Sequence, residues 1–322
     1  MKQTTFASLA WNAKGRTTRR ERFLAEMNAV VPWARLLALV EPHYPKAGRP
    51  GRPPMPLERM LRVYFMQQWF NLSDPQAEDA LYDIEPMRRF AGIELAEDTI
   101  PDETTILHFR HLLERHQLTE KLFVEVRALL EEKRLLLKSG TIVDATIINA
   151  PSSTKNASNS RDPEMQQTQK NKQWFFGMKV HIGASKQGLV HHLATGRAGE
   201  ADITRLDDLL HGQERQLYGD QAYWSEDHRV HCEQAGIDYR VNRRAKPGRR
   251  LTDYQKRINR SRSRRRARGE FAFRVVKRLW GFTMVRYRGL AKNTARVYTL
   301  FALANLYLVR RRLLPPVAWC AL

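Results

Sequence analysis

The sequence predicts an α/β protein in which an all-helical N-terminal domain precedes a domain built on a mixed sheet. Apolar residues recur at helical spacing over residues 57–137. From Gly140 onward the pattern changes to β-branched residues with a period of two. Strands and helices then alternate to the end of the chain, which indicates βα units covered by helices.

The chain is strongly basic, and its positive charge is unevenly distributed. Its 322 residues include 55 Lys or Arg against 34 acids, which gives a formal net charge of +21. Residues 243–268 alone contain 13 Lys or Arg and a single acid, Asp253. Such a concentration predicts a polyanionic partner such as DNA, rather than a basic surface that only maintains solubility.

Residues 1–54 are predicted to form a basic N-terminal arm and linker, with a short amphipathic helix over residues 21–40. Two Gly-Arg-Pro triplets follow in the sequence KAGRPGRPPMP, where Pro and Gly exclude a helix. Their arginines, Arg49 and Arg52, could enter a DNA minor groove from an extended backbone. A stiff basic linker is the alternative interpretation.

Residues 55–138 are predicted to form a compact helical domain for DNA binding or dimerisation. Ser73 with Pro75 behind it is the expected start of one helix, and Asp102 is the expected cap of another. Four or five short helices fit this stretch. The sequence does not identify which of them would contact DNA.

Residues 139–312 are predicted to form the mixed-sheet domain, followed by a C-terminal tail at 313–322. Three strands come first: GTIVDATIINA, WFFGMKVHIGAS and GLVHHLATG, the last two as a hairpin. The order continues as helix (ADITRLDDLLHG), strand, helix, strand and helix. An antiparallel start followed by βα units is typical of the ribonuclease-H-like fold.

Two segments of this domain are predicted to lack regular structure. The polar stretch NSRDPEMQQTQKNKQ between the first two strands is predicted to be a loop. Residues 243–263 are predicted to be a basic insertion. We interpret it as a loop that grips DNA and is partly ordered only on DNA.

The sequence contains two cysteines, Cys232 and Cys320, and no metal-binding Cys/His spacing. A disulfide framework is therefore excluded, which suits a reducing compartment. The N-terminus has no apolar stretch of the kind found in signal peptides. No apolar run reaches the ~18 residues of a membrane span, so no membrane association is expected.

Two acids stand where neighbouring strands of such a sheet could bring them together. Asp144 interrupts the apolar run TIVDATI, and Asp220 ends the strand in LYGDQAY. A carboxylate inside a buried strand is unfavourable unless it is paired or holds a metal. For either acid alone, a strand-end acid that caps a loop is the ordinary interpretation.

Glu270 is the third candidate, inside the arginine-rich sequence RRRARGEFAFRVVK. A period of 3.6 predicts one stripe of a sheet-covering helix: Arg266, Glu270, Arg274 and Lys277. The side facing the core is predicted from Phe271, Val275 and Leu279. Glu270 could then meet Asp144 and Asp220. Three carboxylates suit two Mg²⁺ ions, for which Mn²⁺ can substitute. A counter-charge for its basic neighbours is the alternative role of Glu270.

Other residues near these acids are candidates for DNA contact. The basic members of the stripe, Arg266, Arg274 and Lys277, would hold the DNA backbone. Tyr223 and Trp224 follow Asp220 and could stack on a displaced base, or could only line the pocket. Lys179, on the second strand, could contact the scissile phosphate or could only be a polar residue of the strand face.

The spacing Arg266-x3-Glu270-x6-Lys277 resembles the third-carboxylate signature of bacterial insertion-sequence DDE transposases. Further stretches resemble the insertion-sequence-five group across nearly the whole chain: VYFMQQWFNLSDPQAEDALYDI, PDETTILHFRHLLE, GTIVDATIINAPSSTKN, RDPEMQQTQKNKQWFFGMKVHIG and KNTARVYTLFALANLYL. One departure is Ser263, which stands where related families often have Tyr.

The resemblance implies that Asp144, Asp220 and Glu270 are the DDE triad and that Arg266 and Lys277 contact DNA. It implies an Mg²⁺-dependent enzyme that binds the inverted repeats of its element and nicks the ends by hydrolysis. The 3′-hydroxyl ends would then join target DNA by transesterification. A homodimer in a synaptic complex on double-stranded DNA, in the bacterial cytoplasm at the nucleoid, is the expected working form.

Two alternatives stay open from the sequence. One is a non-catalytic DNA-binding repressor derived from a transposase, and the other is a nuclease of the same fold that cuts without rejoining. Intact acids at all three positions argue against the repressor.

Overall fold

The computed structural model describes residues 11–314 apart from 12, 47, 49–52, 156–158 and 246–247. Arg49 and Arg52, the predicted minor-groove residues, lie outside the described residues. The chain divides into two units. One contains the described residues up to Leu122 and those from Leu306 onward, and the other is Phe123–Asn305.

The described chain begins with seven helices. They are α1 (Arg19–Val30), α2 (Trp33–Val40), α3 (Leu57–Phe70), α4 (Asp74–Asp83), α5 (Glu85–Phe90), α6 (Glu103–Arg115) and α7 (Leu118–Glu132). Within the described residues, no single helix is long and apolar enough to cross a membrane. One bent pair, Arg19–Val30 with Trp33–His43, meets that test by length and composition only.

Local signals set the helix starts, as the sequence predicts. The Ser73 hydroxyl accepts the amide of Gln76 at the start of α4, with Pro75 in the first turn. The Asp102 carboxylate accepts the amide of Thr105 at the start of α6. Both predicted caps are confirmed.

The helix predicted over residues 21–40 is two helices, because Pro32 interrupts it. α1 ends at Val30, and α2 begins at Trp33 with Pro32 in the capping position. Proline has no N–H to donate, and its ring clashes with the preceding turn of a continuous helix.

The second unit contains a six-stranded mixed sheet in the described residues. Its strands are β1 (Thr141–Asn149), β2 (Gln166–Lys170), β3 (Gln173–Ser185), β4 (Val190–Arg197), β5 (Gln216–Tyr218) and β6 (Asp238–Tyr239). The order is β2-β3-β1-β5-β6, and β4 also pairs with β3. β1 is antiparallel to β3 and parallel to β5, and β5 is parallel to β6. The predicted hairpin is β3 with β4.

Two segments of this unit differ from their predictions. Part of the predicted polar loop pairs with β3 as strand β2. The segment predicted as a helix, ADITRLDDLLHG, instead forms two short 3₁₀ turns, Asp202–Arg205 and Asp207–Leu209. Leu206 and Leu209 are fully buried. Two anchoring leucines three residues apart support a single turn but not a longer amphipathic helix.

Four helices complete the second half of the chain: α8 (Glu226–Gln234), α9 (Asp253–Arg266), α10 (Glu270–Arg274) and α11 (Leu290–Leu313). α10 continues as one π-helical turn, Val275–Leu279. The basic segment predicted as a loop is therefore largely the helix α9.

Polar contacts along one face hold α9 in place. Its start is a capping box between Thr252 and Gln255. Further along, the Asn259 side chain exchanges two hydrogen bonds with the backbone of Arg243. The Arg262 guanidinium donates to the carbonyl of Val241 at 2.7 Å. A charge-dense segment can form a helix when its caps and one polar face are satisfied in this way.

Candidate active site

Strand pairing brings Asp144 and Asp220 to the same level of the sheet. Ile142 of β1 pairs with Tyr218 of β5 in the parallel ladder, and each aspartate stands two residues further along its chain. Asp144 is 8% exposed. Asp220 accepts the amide of Ala222 at 2.8 Å and caps a 3₁₀ turn.

Glu270 reaches this region because the chain between α9 and α10 passes close to β1. Gly269 is buried, and a Cβ atom at this position would lie 2.9 Å from Ile142 Cγ2. Beyond α10, the Lys277 ammonium donates to the Thr146 hydroxyl at 3.0 Å. Since alternate residues of a strand share a face, residues 266–277 follow the face of β1 that carries Asp144.

The predicted stripe on one continuous helix is interrupted at residues 267–269, so Arg266 ends α9 while Glu270 begins α10. The side of this segment that faces the core also differs from the prediction. Phe271 and Leu279 are about half exposed, at 47% and 54%. The buried residues of this segment are Ala272, Phe273, Val275 and Val276. The break and the π-helical turn rotate the apolar face away from the register of an unbroken helix.

Arg266 lies between two of the three acids. Its Nη1 atom is 3.1 Å from Asp144 Oδ1, and its Nη2 atom is 3.2 Å from Glu270 Oε1. The Arg266 side chain is 22% exposed, whereas that of Glu270 is 56% exposed. The guanidinium therefore joins the buried acid of the sheet to the exposed acid of α10.

Both of the other acids affect the pKa of Asp144. The pKa of Asp144 is raised to about 6, chiefly by burial, and the negative charges of Asp220 and Glu270 contribute to the rise. Arg266 and the amide of Ala145 act in the opposite direction. Asp220 and Glu270 are thus both close enough to Asp144 to affect its ionisation.

The donor chemistry of the three acids fits a divalent cation. Carboxylate oxygens are the hard ligands that Mg²⁺ prefers. Neighbouring carboxylates repel one another when they are ionised, and a bound cation stabilises their charged forms. In the described part of the chain, no three His, Cys, Asp or Glu side chains are gathered closely enough to hold one ion together. In this structure the positive charge next to Asp144 and Glu270 is the guanidinium of Arg266.

The predicted DNA-contact lysines are engaged inside the protein. The Lys277 ammonium donates to the Thr146 hydroxyl and, at 2.9 Å, to the carbonyl of Ile147. Burial lowers the pKa of Lys277. The Lys179 ammonium lies 2.8 Å from Asp202 Oδ1. Arg274 is exposed on α10. Contact of these three basic residues with DNA stays a prediction.

Tyr223 is fully buried, at 0% exposure. This placement contradicts the predicted stacking of Tyr223 on a base, because an enclosed ring offers no face to a nucleotide. It agrees with the alternative, in which the ring lines the interior. Trp224 is partly exposed, with its ring centroid 5.5 Å from that of Tyr239. Stacking of Trp224 on a base stays a prediction.

A contact between Tyr223 and His181 supports the site, and no pattern in the sequence predicts it. The Tyr223 hydroxyl lies 3.1 Å from His181 Nδ1, across 42 positions of the chain. His181 is fully buried on β3 and pairs with Ala145, next to Asp144. Burial lowers the pKa of His181 to about 4, so the ring is neutral at pH 7. The contact ties the turn that Asp220 caps to the strand beside Asp144.

Tyr223→Phe should destabilise the protein by about 1–2 kcal/mol, because it leaves His181 Nδ1 buried without its partner. The free energy of unfolding in urea would measure the effect. Tyr254→Phe is the control, since Tyr254 is 63% exposed and should lose almost nothing. Equal stability of the Tyr223 variant and the unmodified protein would show that the contact contributes nothing.

Two family models match the chain. One, described as Transposase domain (DUF772), matches residues 12–112, and the other, described as Transposase DDE domain, matches residues 136–306. No solved structure matches it. Together with the fold and the acids, these matches define an insertion-sequence DNA transposase. The chain belongs to the Transposase DDE domain family, whose model covers more than half of its length.

Proposed function

We propose that the chain moves an element of the insertion-sequence-five group, with Asp144, Asp220 and Glu270 as its catalytic triad. The observation that carries the proposal is the placement of the acids: β1 pairs with β5 so that Asp144 and Asp220 lie at one level of the sheet, and Arg266 contacts both Asp144 and Glu270. A sheet in which four strands, β1 to β4, pair antiparallel while β5 and β6 run parallel to β1 supports a ribonuclease-H-like fold for residues 139–312.

In this proposal the three acids hold two Mg²⁺ ions, for which Mn²⁺ can substitute. When bound, such ions activate the attacking water or 3′-hydroxyl and stabilise the leaving oxygen. Asp144 and Asp220 are fixed by adjacent strands, and Glu270 approaches from α10. Hydrolysis first frees the 3′-ends of the element, and transesterification then joins them to target DNA.

The remaining parts of the chain have supporting roles in the proposal. Residues 55–138 bind the terminal inverted repeats or mediate dimerisation, and residues 1–54 form a basic arm. The exposed basic face of α9 and Arg274 hold the DNA backbone. The working form is a homodimer that pairs both element ends on double-stranded DNA, in the cytoplasm at the nucleoid.

Strand transfer tests this function and separates it from the two alternatives. A pre-cleaved element end would be incubated with plasmid DNA and Mg²⁺, and joined product would be quantified. We expect product from the unmodified protein and a loss of about a hundredfold or more with Glu270→Gln, because the variant weakens a metal ligand. Glu233→Gln on the exposed side of α8 is the control and should remain active.

Three other results of the strand-transfer experiment would each point to a different alternative. Equal product from Glu270→Gln and the unmodified protein would make Glu270 a counter-charge and would remove it from the triad. Cleavage of element ends without any joined product would favour the nuclease. Specific binding of the ends with neither cleavage nor joining would favour the repressor.

A further inference from the structure

We infer that Arg266 is an internal counter-ion of the acid site, which competes with divalent cations for Asp144 and Glu270 until DNA is bound. The inference rests on the proposed function, because it takes these acids to be metal ligands. It assigns Arg266 a role inside the site in addition to the DNA contact that the sequence predicts.

The Arg266 guanidinium lies against two of the three acids. One of its nitrogens lies 3.1 Å from Asp144 Oδ1 and another lies 3.2 Å from Glu270 Oε1. These are charge-assisted contacts with two oxygens that a cation would also use. A cation bound to both oxygens would bring like charge against the guanidinium. Arg266 and the cation therefore exclude one another from this position.

The hydrogen-bonding capacity of Arg266 is incompletely satisfied in this position. Its Nε atom is buried and has no hydrogen-bond partner in the described structure. An unsatisfied buried donor is unfavourable. The two carboxylates thus hold the side chain in a place that does not meet all of its hydrogen-bonding needs. A partner that offers more acceptors can draw it away.

Bound DNA can withdraw Arg266 from the acids. Arg266 is the last residue of α9, and the outer face of the same helix is basic and exposed: Lys256, Arg257, Arg260 and Arg264. Phosphates bound along this face would lie close to the helix end that carries Arg266. A phosphate provides several acceptor oxygens for a guanidinium. DNA binding and cation binding should therefore favour one another, since both withdraw Arg266 from the acids.

The test is the affinity of the full chain for Mn²⁺ in the absence of DNA, measured by titration with electron paramagnetic resonance of the free ion. Arg266→Gln should bind Mn²⁺ about tenfold or more tightly than the unmodified protein, because a competing positive charge next to the ligands is gone. Arg265→Gln is the matched control. It removes the same charge from an exposed neighbour on α9 and should stay within about twofold.

A second variant keeps the test decisive if Arg266→Gln fails to fold, which thermal unfolding would reveal. Arg266→Lys retains the charge but cannot present two nitrogens to two carboxylates. Its Mn²⁺ affinity should lie between those of the unmodified protein and Arg266→Gln. An affinity of Arg266→Gln equal to or below that of Arg265→Gln would overturn the inference, as would an unchanged affinity in a folded Arg266→Lys.

Asp144→Asn separates a failure of this inference from a failure of the proposed function. If Asp144→Asn weakens Mn²⁺ binding while Arg266→Gln matches its control, the metal site stands and the competing role of Arg266 is wrong. If the tighter binding of Arg266→Gln persists when Asp144→Asn is added, the ion binds elsewhere. The proposed metal site then fails together with the inference.

Discussion

Asp144→Asn should reduce strand transfer by about a thousandfold or more. The same substitution should make the metal-free protein more stable at pH 8. The loss of activity follows from the proposed role of Asp144, since a cation at such a site supplies several kcal/mol of transition-state stabilisation. The gain in stability follows from the burial of the carboxylate, which is 8% exposed and ionised at this pH.

The pH dependence of this gain has a definite sign. The pKa of Asp144 is raised from 3.8 to about 6 in the folded protein, so its ionisation opposes folding. Below about pH 3 the carboxyl group is largely protonated in both the folded and the unfolded state, so its ionisation does not affect the free energy of unfolding. As pH rises from about 4 to 6, the unmodified protein loses stability relative to Asp144→Asn. Above pH 6 the difference reaches its full value of about 3 kcal/mol.

Urea unfolding at pH 4 and pH 8, with a chelator present, would measure this difference, and strand transfer with Mg²⁺ would measure activity. Asp227→Asn, on the exposed surface of α8, is the control for loss of one aspartate. A variant that is less stable than the unmodified protein at pH 8 would show that the Arg266 contact outweighs the burial of Asp144. Retained strand transfer would exclude Asp144 from the triad.

The sequence predicted the elements that carry the acids because their signals are local. β1, β3 and β4 are long strands with clear period-two patterns, and they form the predicted antiparallel group. β5 and β6 contain only a few residues each, Gln216–Tyr218 and Asp238–Tyr239. They were nevertheless predicted in the right order, because each follows a turn and carries apolar residues.

The predicted helix boundaries differ from the structure where a residue that interrupts helices lies inside the helical pattern. Pro32 separates α1 from α2, and Gly269 lies in the break between α9 and α10. Both residue types interrupt helices, so these breaks could have been predicted. The basic segment is predicted to be a loop because related transposases carry an insertion at this place. Its capping box at Thr252 and the good helix propensity of Arg, Lys and Gln favour the helix that is observed.

The contacts that shape the site depend on the packing of distant segments, which a single sequence does not specify. Ser263 shows this plainly, because its hydroxyl accepts a hydrogen bond from Asn242 and helps to dock α9. The contacts of Arg266 with Asp144 and of Tyr223 with His181 also join distant segments. Residue type and strand order could predict that the acids converge. They could not predict which neutral or basic side chains would lie between them.

Replacing four basic residues on the outer face of α9 should weaken DNA binding about a hundredfold or more at moderate salt. The variant changes Lys256, Arg257, Arg260 and Arg264 to Gln. At about 100° per residue, these positions fall within one third of the helix circumference. All four are exposed. The contacts that dock the helix come from the other side, through Asn259 and Arg262, so the fold should be unaffected.

The dependence of the affinity on salt concentration identifies the cause of the weakening. Each lost phosphate contact should reduce the slope of log affinity against log salt by about 0.9 on duplex DNA, which gives a total reduction of about 3–4. Changing Lys133, Arg134, Lys170 and Lys172 to Gln is the control, since these residues are also exposed and carry the same total charge. An equal fall in both variants would attribute binding to the overall charge of the chain. A fall confined to the α9 variant, with the smaller slope, would make α9 a helix that holds the DNA backbone next to Arg266.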